Sequence, residues 1–154
     1  MKLLAVFISF FLASCSFADE NITDHAVLYY NDLTLISKNG SCVLQSIASS
    51  KTTEFTLQLK PPCYFVRQSK NKKLKYFAYP RLDADFVVIM FGNPISDEER
   101  KIRGLKNDDI CGSAAQGMII LNNNVRISEK VSTGLSCTDG GHDEKDFWYF
   151  AKHS

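Results

Sequence analysis

The chain has 154 residues, a length that fits one globular domain rather than two. With 45% hydrophobic and 23% charged residues, its composition is that of an ordinary globular protein, which excludes a disordered or collagen-like chain. The formal net charge of +1 argues against a protein that coats nucleic acid, so we expect no nucleic-acid partner.

Residues 1–18 have the pattern of a secretory signal peptide and are placed outside the fold. Lys2 supplies the positive charge, and residues 3–12 (LLAVFISFFL) form an apolar stretch that is too short to span a bilayer. Residues 16–18 (SFA) have small side chains on either side of the phenylalanine, as the general signal peptidase requires. This interpretation leaves residues 19–154 as a single globular domain.

A competing cleavage site lies at the end of the apolar stretch. The sequence Leu12-Ala13-Ser14-Cys15 resembles the lipobox of bacterial lipoproteins. The resemblance implies that Cys15 becomes the acylated first residue, and the serine after it resembles the signal for sorting to the outer membrane. We therefore favour a bacterial lipoprotein over a soluble secreted protein. Two N-glycosylation patterns, at Asn21 and Asn39, keep a eukaryotic secreted protein as an alternative.

Either cleavage leaves four cysteines in the domain, which are Cys42, Cys63, Cys111 and Cys137. An even number of cysteines in an oxidising compartment predicts two disulfides. No C-x-x-C spacing supports a zinc or redox motif, so we assign neither a metal nor a cofactor. Four cysteines allow three pairings. We favour Cys42–Cys63 with Cys111–Cys137, because each bond closes a short loop and would stabilise the fold by about 3 kcal/mol.

The first half of the domain has a strand-like pattern. Residues 26–36 are rich in β-forming residues and are interrupted near residues 31–32. The pair Asn39-Gly40 predicts a tight turn, and a strand follows at residues 42–47. Residues 54–60 alternate between apolar and polar side chains, and the two prolines after them end that strand.

Further strands follow in the second half. Residues 63–68 and 73–79 predict a hairpin, and the continuously apolar residues 86–91 (FVVIMF) predict a central strand buried on both faces. A second hairpin is expected where residues 117–121 and 125–128 flank three asparagines. The small residues at 112–117 (GSAAQG) are expected to form a tight loop beside a disulfide.

Two short helices complete the expected fold. Ser96 and Glu99 form a capping box, and Gly104 is a plausible stop for the first helix. Residues 143–151 begin with acids and end with aromatics, which suits a helix, although a strand remains an alternative. We expect Trp148 to anchor the core; if exposed, it would be a binding hot spot.

These elements define the expected fold class. It is mainly β (α+β), a single small antiparallel sheet or sandwich domain with one or two short helices and two disulfides. Nothing in the sequence indicates a repeat, a linker or a second domain.

Positive charge is concentrated in residues 51–81, which carry eight basic residues and one acidic residue. Most of it lies in the predicted hairpin at residues 67–81, where basic side chains are interleaved with aromatic ones. Such a pattern can bind polyanions, which in an outer compartment would be lipid head groups or lipopolysaccharide rather than DNA, or it can steer a protein partner. Lysines that only solubilise an exposed hairpin are the simplest alternative. The candidate binding residues are Arg67, Lys70, Lys72, Lys73, Lys75 and Tyr76.

A second candidate element is the loop at residues 138–146, which combines glycines with several acids. It lacks the D-x-D-x-D-G pattern and the final glutamate of an EF-hand, so we assign no metal to it. A Gly-Gly turn before an acidic helix start explains the same residues without a ligand. The candidate binding residues here are Asp139, His142, Asp143 and Glu144.

One enzymatic hypothesis pairs Cys111 as a nucleophile with His142 as its base. It would leave another cysteine unpaired in an oxidising compartment, whereas two disulfides use all four. We therefore assign no catalytic residue and expect no enzyme.

A small, disulfide-linked envelope domain without a readable active site indicates binding rather than catalysis. We expect a periplasm-facing lipoprotein or secreted protein, an inhibitor or immunity-type protein that blocks a wall hydrolase or a toxin. The alternative is an envelope-maintenance lipoprotein that binds anionic lipid or peptidoglycan through residues 67–81. A small Cys-His hydrolase is the third hypothesis.

Intact mass spectrometry of the native protein, before and after reduction with alkylation, tests the anchor and the disulfides together. We expect a mass that begins at Cys15 with an S-diacylglyceryl group, with or without a third acyl chain on its amino group, and four alkylated cysteines only after reduction. A mass that begins at Asp19 would contradict the lipid anchor and indicate a soluble secreted protein. A thiol alkylated without reduction would contradict the two disulfides and reopen the hypothesis of Cys111 and His142 as a catalytic pair.

Overall fold

Two antiparallel sheets and one packed helix form the architecture of the part of the chain that the structure describes. The computed structural model describes residues 20–140 and 142–154. The predicted signal peptide and Cys15 lie outside the described residues. Among those residues no helix is long and apolar enough to cross a membrane. The mainly β fold with short helices confirms the predicted fold class.

The first sheet is a four-stranded meander in chain order. Two-residue turns connect its strands, and Asn39-Gly40 forms the predicted second turn with positive φ at both residues. The first turn is Tyr29-Tyr30 rather than the expected residues 31–32, because Asn31 is buried within the next strand and accepts a hydrogen bond from Ser46 Oγ. The strands are β1 (Asn21–Leu28), β2 (Asn31–Lys38), β3 (Ser41–Ala48) and β4 (Lys51–Thr56).

The second sheet has β7 at its centre, between β8 on one side and two short strands on the other. The short strands β5 and β6 pair with different parts of the same edge of β7. Two helices accompany this sheet. The elements are β5 (Tyr64–Phe65), β6 (Tyr76–Tyr79), β7 (Ala84–Pro94), α1 (Asp97–Ile102), β8 (Cys111–Leu121), β9 (Asn124–Cys137) and α2 (Glu144–Lys152).

The strand β7 is buried on both faces, as its apolar sequence predicts. Val88 and Met90 belong to the core between the two sheets. Ile89 and Phe91 point the other way, into a second cluster that includes Phe147 and Phe150 of α2. Successive side chains of a strand point to opposite faces, so a continuous apolar run suits a strand covered on both sides. The layers are therefore sheet, sheet and helix.

The predicted hairpin at residues 63–79 is only partly present. Residues 64–65 and 76–79 pair with β7 and not with each other, because β7 offers a buried apolar partner strand. Only the tip is a hairpin, where Arg67 pairs with Leu74 and Gln68 N donates to Lys73 O at 2.8 Å. We call residues 67–75 the basic loop. In the basic loop the chain leaves the edge of the second sheet after β5 and returns to it at β6.

The prediction of a loop at residues 112–117 is wrong, because these residues lie in β8. Their small size reflects close packing. A Cβ on Gly112 would lie 2.8 Å from the carbonyl carbon of Gly92 on the adjacent β7, and one on Gly117 would lie 2.7 Å from Phe150 Cγ of α2. Glycine lets backbone and helix approach more closely than any other residue would.

Both helices begin where predicted, but the capping box predicted at Ser96 and Glu99 is only half formed, because the Glu99 carboxylate pairs with Arg103 instead. Ser96 Oγ accepts a hydrogen bond from Glu99 N at 3.1 Å, and Gly104 follows the end of α1 with φ of 65°. At α2, Asp143 accepts from Lys145 N at 2.8 Å, and Asp146 accepts in return from Asp143 N at 3.1 Å. This reciprocal capping box resolves the choice between helix and strand in favour of a helix.

The favoured disulfide pairing is confirmed. Cys42–Cys63 connects β3 to the segment before β5 and therefore joins the two sheets, with a Cα–Cα distance of 6.2 Å. Cys111–Cys137 joins the paired ends of β8 and β9, with a Cα–Cα distance of 4.0 Å.

Gly117→Ala tests the close packing of α2 on β8. We expect the free energy of unfolding to fall by about 1–3 kcal/mol, because an added methyl group overpacks a site against the buried Phe150. Urea unfolding followed by tryptophan fluorescence measures the change. The matched control is Gly140→Ala, where a Cβ meets nothing within 4 Å and the change should stay within about 0.5 kcal/mol. Equal stability of the two variants would contradict the packing described here.

Candidate functional site

The two binding elements predicted from sequence lie side by side. Arg67 N donates to Thr138 O at 2.7 Å, and Ser69 Oγ donates to Asp139 O at 2.6 Å. An ion pair between Lys72 Nζ and Asp139 adds a third connection. We call residues 138–140 and 142–144 the acidic loop. The basic loop and the acidic loop therefore present one continuous surface.

The ion pair contributes less to this arrangement than the two hydrogen bonds. The side chains of Lys72 and Asp139 are 63% and 45% exposed, and exposed pairs stabilise by only about 0–1 kcal/mol. Hydrogen bonds to the backbone hold the loops in place without Lys72. A partner molecule can therefore compete for the charge of Lys72 without unfolding the site.

Arg67 anchors the basic loop to the first sheet. Its Nη2 lies 2.6 Å from Asp24 Oδ1 and 2.9 Å from His25 O, while its Nη1 donates to Lys72 O at 3.1 Å. The side chains of Arg67 and Asp24 are only 20% and 14% exposed. A guanidinium with several donors suits this bridging position better than an ammonium group would.

Lys75 contacts the acidic loop and the first turn of α2 through its side chain. Its Nζ donates to His142 O at 2.7 Å and lies 5.7 Å from the centre of the Phe147 ring, within the range of a cation–π contact. Lys70 and Lys73, by contrast, are exposed and form no ion pair with any of the described residues. Among the predicted basic residues, Arg67, Lys72 and Lys75 thus have partners within the protein, whereas Lys70 and Lys73 have no ion pair with any described residue.

His142 is the most enclosed titratable group of the acidic loop. Its side chain is 6% exposed, Nδ1 lies 3.1 Å from Asp146 Oδ2, and Nε2 is buried without a hydrogen-bond partner among the described residues. Burial lowers the pKa of His142, although the nearby Asp146 carboxylate opposes that shift. The ring is therefore neutral at pH 7 and donates its Nδ1 proton to Asp146.

The remaining predicted residues of the acidic loop have structural partners. The Asp143 carboxylate caps α2, and the Glu144 carbonyl accepts a hydrogen bond from Tyr79 Oη at 2.8 Å. Burial, together with the charges of Glu144 and Asp143, raises the pKa of Tyr79 to about 12. Tyr79 stays protonated at physiological pH and can donate this bond.

Cys111, the nucleophile of the enzymatic hypothesis, is part of a disulfide. Cys111 is bonded to Cys137, so its sulfur is not a free thiol in this oxidised state. His142 instead pairs with Asp146. Among the described residues, no group of three or more His, Cys, Asp or Glu side chains is placed to hold a metal ion.

A groove of about 660 Å³ opens beside the basic loop, between this loop and β1. Tyr76, one of the predicted residues, lines it together with Tyr29. Both rings pack on Phe86, with centroid distances of 4.5 Å for Tyr29 and 5.4 Å for Tyr76. Sequence reasoning missed the β1 side of this groove. The aromatic pair Tyr29-Tyr30 was the available signal, because a turn between strands leaves such side chains exposed.

The expectation that Trp148 anchors the core is wrong, since this side chain is 45% exposed. Phe147, Phe150 and Ala151 form the buried face of α2 at helical spacing, which directs Trp148 away from the sheet. Its indole lines two shallow depressions, one beside Lys145 and one beside Arg81.

Comparison of the chain with protein-family models, curated proteins and solved structures gives no match. The functional argument therefore rests on the geometry of the site.

The burial of His142 predicts a pH dependence of stability. The folded-state pKa lies below the unfolded value of about 6.5, so the unfolded chain binds more protons as the pH falls. We expect the free energy of unfolding to fall as the pH drops below about 6.5 and to level off once it passes the folded-state pKa. In His142→Gln this component is absent. Urea unfolding at pH 7.5 and pH 5.0 measures the difference, and NMR titration of the His142 ring reports the folded-state pKa directly. A midpoint above 6.5 would contradict the dominance of burial.

Proposed function

We propose that this protein is a secreted or envelope-anchored binding protein that blocks a protein partner, either a wall hydrolase or a toxin. The surface formed by the basic loop and the acidic loop is its binding site. The observation that carries the proposal is the contact between these loops, in which Arg67 N and Ser69 Oγ bond to the backbone of residues 138 and 139. Two elements that are far apart in sequence are thereby held as one rigid patch.

The distribution of charge on this patch favours a protein partner over a polyanion. Three of the five basic residues of the basic loop are engaged, since Arg67 pairs with Asp24, Lys72 pairs with Asp139, and Lys75 donates to a carbonyl. The other two, Lys70 and Lys73, form no ion pair with any described residue. Binding to a polyanion draws its affinity from unpaired cations that neutralise many phosphates. A patch where both signs alternate instead complements a protein surface and selects among partners. We therefore prefer inhibition of a protein to lipid or peptidoglycan binding.

The proposed location rests on separate observations. Two disulfides suit an oxidising compartment, because cytosolic thiols are kept reduced. The signal-peptide pattern supports the proposal that the protein is exported. The lipobox-like sequence at Cys15 supports the proposal of a lipid anchor at the envelope. A protein at this position meets wall hydrolases and incoming toxins.

The test measures inhibition by the mature protein with both disulfides formed. Purified wall hydrolases act on a peptidoglycan suspension, and toxins act in their own activity assays, each with increasing amounts of the protein. We expect stoichiometric inhibition of at least one enzyme. Lys72→Glu should weaken this inhibition about tenfold, because it places a carboxylate beside Asp139 and repels an acidic partner.

Two further variants sharpen the result. The double variant Lys72→Glu with Asp139→Lys keeps the ion pair but exchanges the positions of its positive and negative charges. Inhibition by this variant should therefore stay weak. Lys101→Glu changes an exposed residue of α1 outside both loops and serves as the matched control, for which we expect unchanged inhibition. Salt-sensitive binding to phosphatidylglycerol vesicles without inhibition of any enzyme would contradict the proposal and favour the lipid-binding alternative.

A further inference from the structure

One strand edge of the first sheet lies beside the groove. β1 is the outer strand of this sheet and, among the described residues, pairs with β2 alone. The carbonyl of His25 accepts a hydrogen bond from Arg67 and therefore points away from β2. The backbone groups of every second residue in a strand point the same way, so the N–H and C=O of Val27 also face the groove. Within the described residues no strand pairs with this edge.

The seam between the edges of the two sheets is closed at one end and open at the other. Thr23 Oγ1 donates to Cys63 O at 2.7 Å, and Asp24 Oδ2 accepts from Phe65 N at 2.9 Å. The seam opens past Arg67, because the chain leaves the second sheet there and returns only at Tyr76. The groove of about 660 Å³ occupies the space that the basic loop leaves beside Val27.

The walls of the groove combine positive charge with apolar surface. Lys72, Lys73 and Arg67 provide the charge, and none of the described residues that line the groove carries a carboxylate. Tyr29 and Tyr76 provide the apolar surface. Of these three cations, Lys73 forms no ion pair with any described residue, whereas Arg67 and Lys72 also pair with Asp24 and Asp139, which do not line the groove.

At Val27 the edge lacks two of the features that usually protect an exposed strand, lysine and proline. Natural edge strands carry lysine, proline or an inward charge that discourages pairing with another chain. Residues 25–28 (HAVL) contain neither lysine nor proline, and the Val27 side chain is 62% exposed. An open edge of this kind accepts an additional strand.

We infer that the groove binds an extended acidic segment of the protein partner, which adds to β1 as a further strand at Val27. Its carboxylates would lie against Lys72 and Lys73, while its backbone would bond to Val27. This inference rests on the proposed function and names the chemistry of the partner that the site accepts. Backbone hydrogen bonds supply affinity in such docking, and alternate side chains supply specificity. A lipid head group would use the lysines but not the strand edge.

The probe is a capped nine-residue peptide with glutamate at alternate positions, Thr-Glu-Val-Glu-Thr-Glu-Val-Glu-Thr, labelled for fluorescence anisotropy. We expect saturable binding at low salt by the native full protein, and no binding of the same peptide with lysine in place of glutamate. The double variant Lys72→Glu with Lys73→Glu should lose at least tenfold in affinity. Lys101→Glu is the control and should bind as the native protein does.

Val27→Pro isolates the contribution of the strand edge. Proline removes the N–H that faces the groove, whereas the hydrogen bonds between β1 and β2 use the alternate residues. We expect at least tenfold weaker binding, and normal binding by Val27→Thr, which keeps the N–H. Because proline could also disturb folding, the second measurement uses the native protein. The Val27 amide should shift in NMR spectra on addition of the peptide and gain protection against hydrogen exchange.

The outcomes separate the two proposals. If the peptide fails to bind, or binds without affecting the Val27 amide, strand docking is wrong even where the protein still inhibits an enzyme. If phosphatidylglycerol vesicles bind and displace the peptide in Val27→Pro as well as in the native protein, the groove recognises anionic charge alone. If the peptide binds as expected but no hydrolase or toxin is inhibited, the groove assignment stands and the partner class in the proposed function is wrong.

Discussion

The burial of β7 on both faces is the constraint on which the rest of the structure depends. Val88 and Met90 require cover from one side, and Ile89 and Phe91 require it from the other. The meander of the first sheet supplies the first cover and α2 supplies the second. Burying a strand on both sides removes more apolar area from water than burying one face, which favours this layered arrangement over an open sheet.

The same strand determines where the candidate site forms. β5 and β6 share one edge of β7, so the chain between them has to leave the sheet, and this excursion is the basic loop. The end of β9 then brings the acidic loop beside it, and α2 begins directly afterwards. The basic loop is therefore bounded at both ends by strands that pair with β7.

The join between the two sheets explains why a groove lies next to these loops. The Cys42–Cys63 disulfide, together with the hydrogen bonds of Thr23 and Asp24, holds the sheet edges together at one end. The partly buried Arg67–Asp24 pair extends that join, and its loss would leave a poorly solvated charge. Past this point nothing in the described residues closes the seam. The edge of β1 at Val27 and the cations of the basic loop consequently meet at one place, the groove beside the basic loop.

Local patterns in the sequence determined much of the fold. The Asn39-Gly40 turn, the caps at Ser96 and Asp143, and the apolar run of β7 each depend on a few neighbouring residues, and short loops favoured the observed disulfides. Tertiary structure alone decided that Gly117 of β8 faces Phe150, that Trp148 stays exposed, and that β1 lies beside the basic loop. These outcomes depend on contacts between residues distant in the chain. Periodicity shows that a helix or strand has an apolar face, but only tertiary packing decides which other element covers that face.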